Sequence, residues 1–202
     1  MDKENLLKLI AESAYNIGFG AKKNLATFDI IEKSSGWISV VSFAIGIFAL
    51  FIPALASNFI SAIMLIFGIS TLYFGIYQQD KEKYSDAGKK LTNNFHELKT
   101  LYYILKSNNE TTDISEILQK LNSIVSEASE STNTKQIFLS DWYAHLKFFG
   151  QNQIGWVDEQ LKFRFWRDKV PSSLKLILIA FMSSLVFVAL YKHLISYLCS
   201  IS

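Results

Sequence analysis

SSGWISVVSFAIGIFALFIPALASNFISAIMLIFGISTLYFGIYQQ, residues 34–79, contains no Asp, Glu, Lys, Arg or His. A helix in a soluble protein turns one face to water and rarely runs beyond about 18 residues without a charge. Lipid is the solvent that suits this stretch. Pro53-Ala-Leu-Ala-Ser-Asn58 divides it into two helices joined by a tight turn. Starting at Trp37 and counted to Leu55, the first span reaches about 28 Å, close to the hydrocarbon thickness of a bilayer. The second runs from Phe59 to Tyr77, and Ser57 or Asn58 can cap it. Antiparallel packing brings Trp37, Tyr73 and Tyr77 to one interface, where amphipathic rings settle. The pattern predicts an all-α integral membrane protein built on a transmembrane helical hairpin, residues 36–78.

Lysines set the orientation. The turn has none, whereas Lys22, Lys23 and Lys33 precede the first span and Lys81, Lys83, Lys89 and Lys90 follow the second. The positive-inside bias then leaves the N-terminus and residues 79–170 in the cytoplasm, with 53–58 facing outward. A cleaved secretory signal is not expected, because a long amphipathic stretch comes before the first apolar run.

Outside the hairpin, residues 1–35 read as an N-terminal amphipathic helix. Ile10, Ala14, Ile17, Ala21, Leu25 and Phe28 recur at helical spacing, and Ser34-Ser35-Gly36 is expected to break it. Residues 79–170 read as a cytoplasmic helical region, with the second hairpin helix running on unbroken to Lys106. Tyr84, Gly88, Leu91, Phe95, Leu98, Tyr102 and Leu105 alternate spacings of four and three, the period of a coiled-coil seam. Leu91, Phe95, Leu98, Tyr102 and Leu105 are therefore candidates for oligomerisation, or for packing on the apolar face of 114–128 in the same chain. Ser107-Asn108-Asn109 ends the long helix, and Asp113-Ile-Ser-Glu116 has capping-box spacing. Residues 135–169, rich in aromatics, are expected as two helices divided near Gly150–Gly155. In 171–202 the uncharged run Leu176–Tyr191 predicts a third transmembrane helix, an in-plane helix being the alternative.

Two stripes carry the candidate chemistry. Ser39, Ser42, Gly46 and Ala49 repeat on the first helix, and Ser61, Gly68, Thr71 and Gly75 on the second. Small residues let helix backbones approach in lipid, where apolar side chains gain nothing from one another. The stripes either zip the hairpin or line a pore formed by several copies. Without intramembrane charge, such a pore would be weakly selective or gated by dewetting.

Other features point away from catalysis. Ile17-Gly-Phe-Gly-Ala-Lys-Lys23 lacks the ending of a phosphate loop and follows no strand, so it reads as a helix contact or kink. His96, His145 and His193 lie far apart in sequence and give neither a metal site nor a catalytic base beside a nucleophile. A single cysteine, Cys199, offers no disulfide. No catalytic residue, metal or cofactor is expected. The net charge of +2 gives no reason to expect nucleic acid as a direct partner, and the aromatic–basic run Trp156–Arg167 suits a membrane interface better.

Ala14-Tyr-Asn-Ile-Gly-Phe-Gly-Ala-Lys-Lys23, Asp29-Ile-Ile-Glu-Lys33, Gly36-Trp37 opening a short-looped hairpin, and the helix from Tyr77 through Leu105 together resemble the SLATT family over about residues 5–170. That resemblance implies a bacterial two-transmembrane, non-enzymatic effector of anti-phage conflict systems. It further implies assembly into an inner-membrane pore when an operon-encoded sensor, nucleotide-signal or reverse-transcriptase module is triggered. The lipid bilayer and further copies of the chain are the expected partners. A non-conducting scaffold that recruits a soluble partner through its cytoplasmic helices is the alternative.

Overall fold

The computed structural model describes residues 2–107, 114–133 and 135–201; the readings placed on Asn108, Asn109, Asp113 and the His193 side chain fall outside it. The described chain contains helices and no strand: α1 Lys3–Ala49, α2 Asn58–Gln78, α3 Lys81–Ser107, α4 Ile114–Ser131, α5 Ser140–Gln151, α6 Gly155–Leu161 and α7 Ser172–Ile201. It divides into two compact units, 1–162 and 163–202. Two helices, α1 and α2, are long and apolar enough to cross a membrane, while the apolar stretch Ser172–Val188 is shorter.

α1 is one helix of 47 residues, so the break expected at Ser34-Ser35-Gly36 does not occur. Its start is capped by the Asp2 carboxylate, which accepts from the Asn5 N–H at 2.8 Å. The serines do not divert the backbone, because their hydroxyls bond backward within the helix: Ser34 to the Ile30 carbonyl, and Ser39 to the Ser35 carbonyl at 2.9 Å. Keeping Gly36 helical costs roughly 1 kcal/mol. Ending the helix there would expose a set of unpaired N–H and C=O groups at the edge of an apolar run, a larger cost.

The break falls on the other helix. α2 stops at Gln78 and α3 begins at Lys81, correcting the expectation of one rod through Lys106. At the junction the Asp80 N–H bonds to the Tyr77 carbonyl at 3.2 Å, and the Lys83 N–H to the Asp80 carbonyl at 3.0 Å. Aspartate favours the start of a helix, where its charge meets free N–H groups, over the interior.

In the first unit, the leading portion of α1 lies against α3, α5 and α6, with α4 resting on α3 and α1. The apolar periodicity of residues 3–33 accounts for this, since Ile10, Ala14, Ile17 and Ala21 are all buried. They meet Leu91, Leu98 and Leu105 of α3, Ile117 and Leu121 of α4, Phe148 of α5, and Trp156 and Val157 of α6 in one buried core. Two glycines set the spacing. A Cβ at Gly18 would lie 2.7 Å from Phe95 Cδ2, and one at Gly88 would lie 2.6 Å from Leu25 Cγ and 3.3 Å from the Leu25 backbone N.

Helix propensity and packing therefore oppose each other at Gly88. Alanine gains up to about 1 kcal/mol of propensity, but overpacking against a backbone-anchored neighbour costs typically 1–3 kcal/mol. Gly88→Ala is expected to lower the unfolding free energy by roughly 1 kcal/mol. At Gly20 the nearest atom would be 3.8 Å away, so Gly20→Ala is expected to stabilise slightly. Denaturant titration of the two variants measures the contrast; equal stabilisation would mean that Gly88 does not hold α3 against α1.

The second unit holds a short π-helical turn, Phe165–Lys169, and then α7. Asp168 organises the turn, accepting from the Arg164 N–H at 2.8 Å and from Arg167 Nε at 2.9 Å. Along α7, every side chain from Leu176 to Val188 is exposed.

Candidate functional site

The hairpin closes through a 3₁₀ turn, Pro53–Ala56, and the Ser57 hydroxyl faces the Ile60 N–H at 3.5 Å as the cap of α2. Each small stripe splits lengthwise into two edges. Ser42 and Ala49 on α1, and Thr71 on α2, are half-buried alongside Ile38, Ile45, Ile63 and Phe67. Ser39, Gly46, Ser61, Gly68 and Gly75 are exposed. A side chain grown at Gly46, Gly68 or Gly75 would meet no other atom within 4 Å. Bulky residues as well as small ones line the half-buried face, and the glycines look outward from a single hairpin. Three of the stripe hydroxyls are satisfied locally: Ser39 bonds to the Ser35 carbonyl at 2.9 Å, Ser61 to the Ser57 carbonyl at 3.2 Å, and Thr71 to the Phe67 carbonyl at 3.0 Å.

At the base of the hairpin the segment joining α4 to α5 is strapped across α1, α2 and α3. Tyr84 Oη donates to the Lys135 carbonyl at 2.6 Å, and Tyr77 Oη to the Gln136 carbonyl at 3.4 Å. Tyr73 Oη accepts from the Phe138 N–H at 3.2 Å, and Thr27 Oγ1 donates to Gln136 Oε1 at 2.6 Å. Ile137 is buried with Ile31, Tyr77 and Tyr84, and Leu139 takes a left-handed backbone, φ 69°. That conformation costs a non-glycine residue on the order of 1 kcal/mol, so surrounding contacts must hold it. Burial raises the Tyr84 hydroxyl above its usual range, so it remains a donor.

Ion pairs fasten the same corner. Lys81 of α3 meets Glu32 of α1 at 2.5 Å, Lys23 of α1 meets Asp141 of α5 at 3.3 Å, and Lys147 of α5 meets Asp29 of α1. The sequence reading gave Tyr73 and Tyr77 to the membrane interface and Tyr84 to the seam, and missed the strap. A signal existed: the three tyrosines share one helical face, and a ring buried there needs a partner for its hydroxyl.

The seam residues Leu91, Phe95, Leu98, Tyr102 and Leu105 are all buried within one chain. Their cover is chiefly α1, with α6 at one end, rather than the 114–128 helix alone. Phe95 and Tyr102 lie 5.6 and 5.0 Å from the Trp156 ring, and Gln160 Nε2 donates to Tyr102 Oη at 3.1 Å. Lys106 pairs with Glu159 at 2.7 Å, which holds the Glu159 carboxyl below its ordinary range. The aromatic–basic run also divides: Trp156 is core, whereas Phe165 and Trp166 are exposed. His145 packs edge-on to Phe19 at 4.7 Å, its Nδ1 3.0 Å from the Asp141 carbonyl oxygen.

Compared with known proteins, residues 1–178 match the family model described as SMODS and SLOG-associating 2TM effector domain 6. No curated protein and no solved structure matches the chain.

Proposed function

The chain belongs to the SMODS and SLOG-associating 2TM effector domain (SLATT) family, a two-span effector of conflict systems, and on that premise we propose that it defends a prokaryotic cell against phage by oligomerising and permeabilising the inner membrane when an associated sensor signals. The observation that carries this reading is the open edge of each small stripe, where a Cβ at Gly46, Gly68 or Gly75 would meet nothing within 4 Å beyond its own helix backbone. Small residues at an unoccupied helix face are what close association with further transmembrane helices requires.

Several copies are needed, since one hairpin cannot enclose water without exposing polar backbone to lipid. In the resting hairpin the Ser39, Ser61 and Thr71 hydroxyls bond to backbone carbonyls four residues earlier, which lowers their cost in lipid. The N-terminus and residues 79–170 lie in the cytoplasm on this reading, where the strap couples the helical domain to the base of the hairpin. α7 is taken as a third membrane helix, because its described apolar side chains lack cover.

Overproduction drives assembly by mass action and is expected to depolarise cells even without the sensor. Topology is tested alongside: Asn58→Cys should react with an impermeant maleimide from outside the cytoplasmic membrane, and labelling only from inside would overturn the orientation. Oligomers that reach the inner membrane with their native partners and leave the potential unchanged would replace the pore reading by the non-conducting scaffold.

A further inference from the structure

A cleft of about 310 Å3 opens in the helical domain between α1, α3 and the α5–α6 connection. Gly18 and Ala21 of α1 and Phe95 of α3 are among its lining residues, the Phe95 ring packing into the space that a Gly18 side chain would take. The motif dismissed as a phosphate loop thus forms one wall, although it is helical. Lys22, His96 and Lys99 line the cleft with Gln151, Asn152 and Gln153, and no Asp or Glu is among its lining residues.

The charges are out of balance. Lys23, Lys81, Lys90, Lys106 and Lys147, on the same helices, each have a carboxylate partner. Neither Lys22 nor Lys99 has one among the described residues. Burial, and then repulsion from Lys147, lowers the Lys22 pKa. A half-buried cation facing a carboxylate-free cleft is better stabilised by an anion there than by its partial hydration.

We propose that this cleft binds a small, soluble, phosphate-bearing molecule, with Lys22 and Lys99 on the phosphate, His96 beside them, and the amides of Gln151, Asn152 and Gln153 bonding the remainder. Lysine serves phosphate as a compact, multiply donating charge. The volume lies at the low end for ligand pockets, which fits a small molecule and leaves no room for a polymer. A lipid headgroup does not reach: Lys22 stands 15 residues before Trp37 on one continuous helix, about 22 Å from the start of the first span. Because α1 carries both the cleft wall and the first span, occupancy acts on the hairpin through a single helix. The proposal stands whether or not the hairpin conducts.

The test is calorimetric titration of the full chain in phosphatidylcholine nanodiscs with pyrophosphate, inorganic phosphate and acetate at low ionic strength. Saturable binding of pyrophosphate at one site per chain is expected, with acetate far weaker. Lys22→Gln and Lys99→Gln should each weaken it by about tenfold, the loss of one charged hydrogen bond. Lys99→Arg, which keeps the charge, and Lys8→Gln, which removes an exposed lysine outside the cleft, should retain binding. Absent or non-saturating binding by the folded wild-type chain, or equal weakening in Lys8→Gln, overturns the proposal. Loss of binding when phosphatidylglycerol replaces the neutral lipid would overturn it too, by assigning the site to headgroups. Membrane potential is not read in this experiment, so its failure leaves the pore reading as it stands.

Discussion

Replacing Leu98 by aspartate is expected to unfold the helical domain while leaving the apolar hairpin able to insert. Leu98 is fully buried, in the middle of a face that includes Leu91, Tyr102 and Leu105. Truncating such a leucine costs about 2–5 kcal/mol, and a buried carboxyl without a partner adds several more or must take up a proton. The sum rivals the roughly 5–15 kcal/mol that holds a whole domain together. Limited proteolysis should then cleave within 3–33 and 81–161 of the variant. Ile104→Asp, on the exposed side of α3, should remain resistant. Since the seam is covered inside one chain, lost oligomers in this variant would follow from lost folding. A Leu98→Asp chain with native protease resistance but no crosslinked oligomers would instead make the seam a contact between copies.

The double variant Gly46→Leu, Gly68→Leu should behave in the opposite way. A Cβ at either glycine would meet nothing within 4 Å beyond its own helix backbone, so hairpin formation and domain stability are expected to stay within about 0.5 kcal/mol of the parent. Two leucines on the open edges would hold neighbouring hairpins apart by a side chain's width, which removes the close backbone approach that lipid-embedded helices rely on. The expected result is loss of the leak on overproduction, by about tenfold or more, with unchanged expression and insertion. Ile47→Leu keeps the side-chain size and should leak as the parent does. A double variant that depolarises cells as strongly as the parent would show that the glycine edges are not where copies meet.

These two outcomes differ from what the spacing alone suggests, and the reason is visible in particular residues. Periodicity identified Leu98 and Gly46 equally well as members of a stripe. A stripe gives the direction of a face, without saying which element lies opposite. For α3 that element is the leading portion of α1, separated by some eighty residues of chain. For the hairpin, α1 and α2 meet along Ser42, Ala49 and Thr71, leaving Gly46 and Gly68 at the rim. A rotation of a few tens of degrees about each helix axis separates the two cases, and no local propensity encodes it. The breaks show the same limit. Ser34-Ser35-Gly36 is a sound stop signal in water, yet back-bonded hydroxyls and the adjoining apolar run keep it helical.

The membrane hairpin, its turn at 53–58, the helical class, the amphipathic face of residues 3–33 and the two short helices divided near Gly150–Gly155 all follow from the sequence itself. Each rests on a local or solvent-level cost: the absence of charge over a long run, a proline at a turn, or a 3.6-residue apolar repeat. What only the tertiary structure decided is how those helices are partnered. It made α1 a single helix from domain to hairpin and buried the α3 seam within the chain. It also drew residues 135–138 under Tyr73, Tyr77 and Tyr84, and left Lys22 and Lys99 facing a cleft with no carboxylate in its lining. These outcomes depend on close approaches such as Leu25 on Gly88 and Phe95 on Gly18. Such contacts join residues far apart in the chain, where shape at the scale of one methyl group chooses among faces that the sequence pattern leaves equivalent.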